Sequence, residues 1–108
     1  MSPGGFDGRG ALEAVDRILN RGGDPDEVLR AVLDALHARG IAFARIRLAT
    51  GDDFAIGSEE PATEAEIAYA GERVGALEVA AGDSPFVERL ATLVSAVSAE
   101  SAKHFRRS

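Results

Sequence analysis

The sequence predicts an α+β domain in which four antiparallel strands carry helices on one face. Apolar residues recur at helical spacing near both ends of the chain, whereas apolar and polar residues alternate with a period of two in its middle. The 108 residues suffice for one domain with a single core between two layers. We therefore expect little volume for enclosing a ligand pocket of roughly 300–1,000 Å³.

The N-terminal end predicts an arm outside this core. Residues 1–10 are rich in glycine and contain no apolar segment, so we interpret them as a disordered arm and not as a signal peptide. The domain is then predicted to cover residues 11–108. No apolar stretch approaches the roughly 20 residues that span a bilayer, and we expect no membrane partner.

Two helices are predicted before the strands. In the first, residues 11–21, Leu12, Val15 and Leu19 share one stripe. The second begins strongly, with Asp24 as the N-cap, Pro25 at the first helical position and Glu27 three residues after the cap. Its apolar face consists of Leu29, Val32, Leu33 and Leu36. Gly40 is expected to end this helix at the C′ position.

The middle of the chain predicts two hairpins. From residue 41 the period is two, and a turn at residues 50–53 leads into a short returning strand, residues 54–57. After a brief loop, residues 63–69 alternate again, and a turn at Gly71 leads into the fourth strand, residues 73–80. One face of each strand is expected to be buried and the other to be more polar.

The C-terminal segment predicts one long helix of about 20 residues, three turns being the usual length. Ser84 is its expected N-cap. The buried stripe comprises Phe86, Leu90, Leu93, Val94 and Val97.

These segments together resemble the GAF domain family. The run 24–29 with its helix resembles the family's opening helix, residues 41–50 its first strand, and residues 73–79 its penultimate hydrophobic-Gly-hydrophobic-Leu strand. The last helix matches the spacing of the closing helix. The resemblance implies a GAF-like (profilin-like) antiparallel sheet of order 2-1-4-3 with the N- and C-terminal helices packed on one face.

The chain also departs from the family pattern. Family members carry tens of residues between the second strand and the penultimate hairpin, and that insert walls the ligand pocket. In this chain only residues 58–62 stand there. The resemblance therefore implies a minimal GAF-like domain that lacks the pocket-forming insert, in which the positions recognised in cyclic-nucleotide binders cannot be placed.

Composition excludes several function classes. The net charge of −6 and the pI near 4.8 argue against nucleic acid as a partner, because phosphate contacts need clustered Lys and Arg. The absence of cysteine removes disulfides, thiolate metal sites, cysteine nucleophiles and thioether-linked cofactors. We expect a cytoplasmic protein.

No residue pattern predicts catalysis, a metal site or a cofactor. The histidines are His37, which a helix dipole explains, and His104, which lies in a basic helix end. The serines lack an interpretable His or Asp partner. A group of carboxylates matches no calcium loop and fits a solvent face better; it comprises Asp52, Asp53, Glu59, Glu60, Glu64 and Glu66.

Two binding surfaces are predicted. A homodimer would use the terminal helices, as in family relatives; the alternative is that these apolar residues pack within one chain. The expected dimer residues are Leu12, Val15, Leu19, Val94 and Val97. A shallow apolar pocket is expected around Phe54, Ile56, Ile67 and Tyr69.

The leading functional hypothesis is a non-enzymatic GAF-like regulatory or protein-interaction domain in signalling. It is expected to form a homodimer and to act on a separate signalling protein. The alternative is a small-molecule sensor that binds an apolar or nucleotide-like ligand in a reduced pocket. An unrecognised enzyme is the third hypothesis.

Overall fold

The computed structural model describes the backbone of residues 8–80 and 84–107, and the side chains of residues 8–80 and 84–101. The elements in chain order are α1 (Gly8–Arg21), α2 (Pro25–Ala38), β1 (Phe43–Leu48), β2 (Asp53–Gly57), β3 (Thr63–Tyr69), β4 (Glu72–Val79), α3 (Ser84–Leu93) and α4 (Ser95–Arg107). This arrangement confirms the predicted α+β class. The first helix begins at Gly8, inside the predicted arm, whereas residues 1–7 lie outside the described part of the chain.

The strands form one antiparallel sheet in the order β2-β1-β4-β3. This is the predicted order. A row of paired residues crosses the sheet on its helix-covered face: Phe54, Ile46, Leu77 and Ala65. Helices α2 and α3 lie on this face, α2 against β1 and β2 and α3 against β3 and β4, while α1 packs on α2 and α3. The core thus lies between the sheet and the helices.

Both ends of α2 form as their residues predict. At the start, the Asp24 carboxylate accepts a hydrogen bond from the Glu27 amide at 3.3 Å, which satisfies one of the free N–H groups of the first turn. At the end, Gly40 has φ +103° and the Ile41 amide donates to the Leu36 carbonyl at 3.2 Å. This six-to-one bond is that of a Schellman motif, in which the glycine takes the left-handed conformation.

The predicted long C-terminal helix is wrong in one respect, because it is interrupted at Val94. The Ser95 hydroxyl donates to the Thr92 carbonyl at 2.8 Å, and the Thr92 hydroxyl donates to the Glu88 carbonyl at 3.1 Å. Hydroxyl groups that bond the backbone in this way compete with the helical ladder and bend helices. The segment forms α3 and α4, although the Val94 amide still donates to the Leu90 carbonyl at 3.0 Å and the Val94 carbonyl accepts from the Ser98 amide at 2.9 Å. The predicted cap Ser84 is the first residue of α3.

The connection between β2 and β3 crosses two strands in few residues. Because β2 and β3 are at opposite edges of the sheet, residues 58–62 span about 14 Å, the width of three strand spacings. Glu59 in this connection lies 3.9 Å from the Arg45 guanidinium, on the face opposite the helices. Gly57 starts the crossing at φ +86°, and a Cβ atom there would lie 1.9 Å from the Ala42 carbonyl oxygen. The crossing is therefore close-packed where it leaves β2.

Candidate cleft at the hairpin-turn end of the sheet

Both hairpin turns lie at the same end of the sheet, because β1 ends beside the start of β4. The β3–β4 turn has Ala70 at φ 54° and Gly71 at φ 81°. Two central residues with positive φ are the mark of a type I′ turn, whose twist matches a hairpin. This hairpin also contains a β-bulge, where the strand register shifts between Ile67 and Ala68. Bulges of this kind redirect side chains at the ends of sheets.

These turns form one wall of a cleft of about 880 Å³. The opposite wall comes from the end of α1, the start of α2 and the junction of α3 with α4. The volume lies within the range of small-molecule sites, although the sequence predicts little room for one. The lining residues are Leu19, Gly22, Gly23, Val28, Ala49, Thr50, Tyr69, Ala70, Glu72, Arg73, Val74, Leu93, Ala96, Val97, Ala99 and Glu100.

Tyr69 is the aromatic side chain of the cleft. It is 48% exposed and is the only large hydrophobic residue so exposed among the described residues. Its partner across the hairpin is Glu72, so the two Cβ atoms are about 5 Å apart. The adjacent Ala70 is held in the left-handed region, which costs a residue with a Cβ roughly 1–2 kcal/mol. Strained turns of this kind cluster at functional sites.

The bulged hairpin is tied to the other turn at the floor of the cleft. The Ala49 amide of the β1–β2 turn donates to the Val74 carbonyl of β4 at 2.8 Å. The neighbouring Thr50 hydroxyl oxygen is buried and has no hydrogen-bond partner among the described residues. A buried hydroxyl without a partner is costly, so this polar group lowers the stability of the turn beside the cleft.

The charges in the cleft are unequal. Arg73 is ion-paired, since its Nε lies 3.4 Å from a Glu66 carboxylate oxygen on β3. Glu72 and Glu100 have no ion pair with any side chain that the structure describes. The cleft therefore combines an apolar floor and an exposed aromatic ring with two carboxylates that remain uncompensated within the described part of the chain.

Helix α4 supplies a wall of the cleft and is held by a polar contact with α2. The Ser101 hydroxyl, 2% exposed, donates to the Asp26 carboxylate at 2.5 Å. Ser98 is fully buried one turn earlier, and its hydroxyl has no partner among the described residues. The small side chains of α4 allow it to pack closely on α2, and the Asp26–Ser101 bond was not predictable from spacing.

The four residues of the predicted pocket do not come together. Phe54 and Ile56 are on β2, whereas Ile67 and Tyr69 are on β3 at the opposite edge of the sheet. Phe54 is 7% exposed and Ile67 is fully buried, and the Arg30 guanidinium lies over the Phe54 ring at 5.4 Å. The prediction of one pocket is therefore wrong, because residues that share a face of the sheet can still lie at its two opposite edges. Of the four, Tyr69 alone lines the cleft.

The predicted dimer residues divide into two groups. Val15 and Val94 are buried in the core of the chain itself, at 0% and 1% exposure. Neither side chain is available to a second copy in this arrangement, and the packing alternative describes them correctly. Leu12, Leu19 and Val97 are partly buried at the edge of the core. Leu19 and Val97 line the cleft, and Leu12 lines a shallow groove of about 490 Å³ between α1 and α3.

The face of the sheet opposite the helices carries ion pairs. Arg45 donates from Nε to an Asp53 carboxylate oxygen at 2.9 Å, and this hydrogen bond lowers the pKa of Asp53 and raises the pKa of Arg45. Glu78 lies 3.7 Å from Arg47. Three of the six carboxylates in the acidic group of the sequence thus each face an arginine: Asp53, Glu59 and Glu66.

No three potential metal-ligating side chains gather within the described residues. His37 is at the end of α2, where its Nδ1 lies 3.0 Å from the Ile41 carbonyl oxygen. The His104 side chain lies outside those that the structure describes. Within the same ranges, none of the helices has the length and apolar content needed to cross a bilayer.

Comparison with protein-family models, with curated proteins and with solved structures found no match to this chain. The GAF resemblance accordingly stays a prediction. What is established is the class of fold: an α+β domain with a four-stranded antiparallel sheet of order 2-1-4-3 and four described helices.

Proposed function

We propose that this chain is a non-catalytic, ligand-binding regulatory domain that takes a small molecule in the cleft at the hairpin-turn end of its sheet. The cleft itself is the observation that carries the proposal. Its volume of about 880 Å³ lies within the range of small-molecule sites, and its lining combines apolar side chains with polar groups. The cleft favours the hypothesis of a small-molecule sensor over that of a purely protein-interacting module.

Two details of the cleft support a ligand there. Tyr69 is exposed where the other large apolar side chains that the structure describes are covered, and Ala70 beside it is strained. An exposed aromatic ring gains free energy when a ligand covers it. These features support a regulatory domain that binds a small molecule at this end of the sheet.

A thermal-shift screen of nucleotides, haem and small metabolites tests the proposal. A ligand at 100 times its dissociation constant adds about 2.7 kcal/mol to the free energy of unfolding, which raises the Tm by roughly 10 °C or more in a domain of this size. The screen is run in parallel on Ala96→Trp, which fills the cleft from the exposed face of α4. Ala38→Trp, an exposed alanine at the end of α2 outside the cleft, is the matched control.

The expected result is a compound that stabilises the wild type and Ala38→Trp but not Ala96→Trp. Equal stabilisation of all three proteins would place binding outside the cleft and overturn the proposal. If no compound in the library stabilises the wild type, the proposal is contradicted as well, and a protein-interaction module becomes the better explanation.

Self-association is a second proposal, favoured by the partly exposed Leu12, Leu19 and Val97. Apolar side chains of this kind on terminal helices suit a symmetric helix pair. Sedimentation at tens of micromolar distinguishes a dimer from a monomer, and a monomer at that concentration would refute it. Because Leu19 and Val97 also line the cleft, a dimer that buries them would compete with the small-molecule ligand.

A further inference from the structure

We infer that the ligand of the cleft is an organic cation with an apolar body; this inference rests on the proposed function and names the chemical class of its ligand. The charges of the lining residues carry it. Glu72 and Glu100 are the carboxylates among the described lining residues, and Arg73 is the only cation among them. Arg73 is ion-paired with Glu66, which does not line the cleft, so the described lining residues carry an excess of negative charge.

The position of Tyr69 fits the same ligand class. A cation placed over an aromatic face is attracted by the negative charge of the ring. Tyr69 presents an exposed ring, and Glu72 is its cross-strand partner. One ligand group near this pair would therefore contact the ring and a carboxylate together. Glu100 is on α4, across the cleft from the hairpin, which gives a second acidic contact on the other wall.

The remaining walls select against a small hydrated ion. Leu19, Val28, Val74, Leu93 and Val97 give the cleft an apolar floor, and burying apolar surface is the main source of affinity in such sites. A metal ion gains nothing from that surface, and no three potential metal ligands gather within the described residues. The cleft is therefore suited to a guanidinium, amidinium or substituted ammonium carried on an apolar group. The net charge of −6 also favours approach of cations.

Benzamidinium, benzamide and benzoate test this inference, since they share one ring and nearly one shape but carry charges of +1, 0 and −1. Each is titrated into ¹⁵N-labelled full-length protein while the amide shifts of the cleft residues are followed. A charge-assisted hydrogen bond together with a cation–π contact is worth about a tenfold difference in affinity. Benzamidinium should therefore bind the cleft about tenfold more tightly than benzamide, and benzoate more weakly than either.

Charge-neutralising variants separate local recognition from the overall charge. The double variant Glu72→Gln with Glu100→Gln should bring the affinity for benzamidinium down to that for benzamide and leave benzamide unchanged. Glu64→Gln is the matched control, because Glu64 is an exposed carboxylate on β3 outside the cleft. It should leave all three affinities unchanged.

Three results would overturn the inference. They are equal affinities for benzamidinium and benzamide, tighter binding of benzoate, and a loss on Glu64→Gln as large as that of the double variant. If the metabolite screen finds a cleft ligand whose binding is indifferent to these variants, the cation class fails and the proposed function stands. If neither the three probes nor any screened compound shifts the cleft residues, both fail.

Discussion

Gly57 is the position where the fold is most sensitive to one added carbon. A Cβ there would lie 1.9 Å from the Ala42 carbonyl oxygen and 2.9 Å from its carbonyl carbon, against backbone that cannot rotate aside. The residue is also at φ +86°, in the region that costs an alanine roughly 1–2 kcal/mol. Overpacking of a close-packed site adds about 1–3 kcal/mol.

We therefore expect Gly57→Ala to reduce the free energy of unfolding by about 2–4 kcal/mol, after the smaller gain from a stiffer unfolded chain. This is a large part of the total of about 5–15 kcal/mol that holds a domain of this kind. Urea unfolding followed by far-UV circular dichroism measures the change, provided that the slope with denaturant is unchanged.

Two other glycines separate the contributions. Gly71 has φ +81° with nothing within 4 Å of an added Cβ, so Gly71→Ala reports the backbone strain alone. At Gly75, which lacks a positive φ, an added Cβ would lie 2.3 Å from the Arg47 carbonyl oxygen, so Gly75→Ala reports the overlap alone. The expected order of destabilisation is Gly57, then Gly75, then Gly71. If Gly57→Ala cost no more than Gly71→Ala, the crossing of residues 58–62 would not be close-packed.

Further predictions concern the open face of the sheet and the cleft turn. Because the hydrogen bond from Arg45 lowers the pKa of Asp53, its stabilisation is present above the unfolded value of about 3.9 and is lost as the pH falls through the folded value. The stability advantage of the wild type over Asp53→Asn should therefore shrink as urea unfolding is repeated from pH 5 to pH 2; a constant difference would contradict this. Ala70→Asn should raise the free energy of unfolding by about 1 kcal/mol, because asparagine tolerates the left-handed region that Ala70 occupies at φ 54°. A lower melting temperature would argue against a type I′ turn.

Most of the secondary structure could be predicted from the sequence, because local signals such as helix caps agree with the pattern of buried residues. At α2 the cap, the apolar face and the closing glycine all indicate the same helix. The alternation in β1 places Ile46 in the core and Arg47 in solvent. The interruption at Val94 was not predictable from periodicity, because the apolar stripe continues through it and the competing hydroxyl bonds involve polar side chains on the opposite face.

The candidate site was predicted less well, for a reason of topology. Alternation assigns a residue to a face of the sheet but not to an edge, and the predicted pocket joined residues from the two edge strands. The order 2-1-4-3 does place both hairpin turns at one end of the sheet, and that juxtaposition was available from the sequence. The contribution of α4 to the cleft was not, because it involves contacts of α4 with α2, β3 and β4 between residues far apart in sequence, such as the hydrogen bond between Asp26 and Ser101.

The most direct test of the cleft as the functional site is the position of a bound ligand. Amide chemical-shift changes caused by the best compound of the thermal screen, or by benzamidinium, are mapped on the assigned spectrum of the wild type. We predict that the largest changes fall on Thr50, Tyr69, Glu72, Val97 and Glu100. The account would be contradicted if the largest changes fell on Phe54 and Ile56 at the other edge of the sheet, or on the ion-paired face opposite the helices.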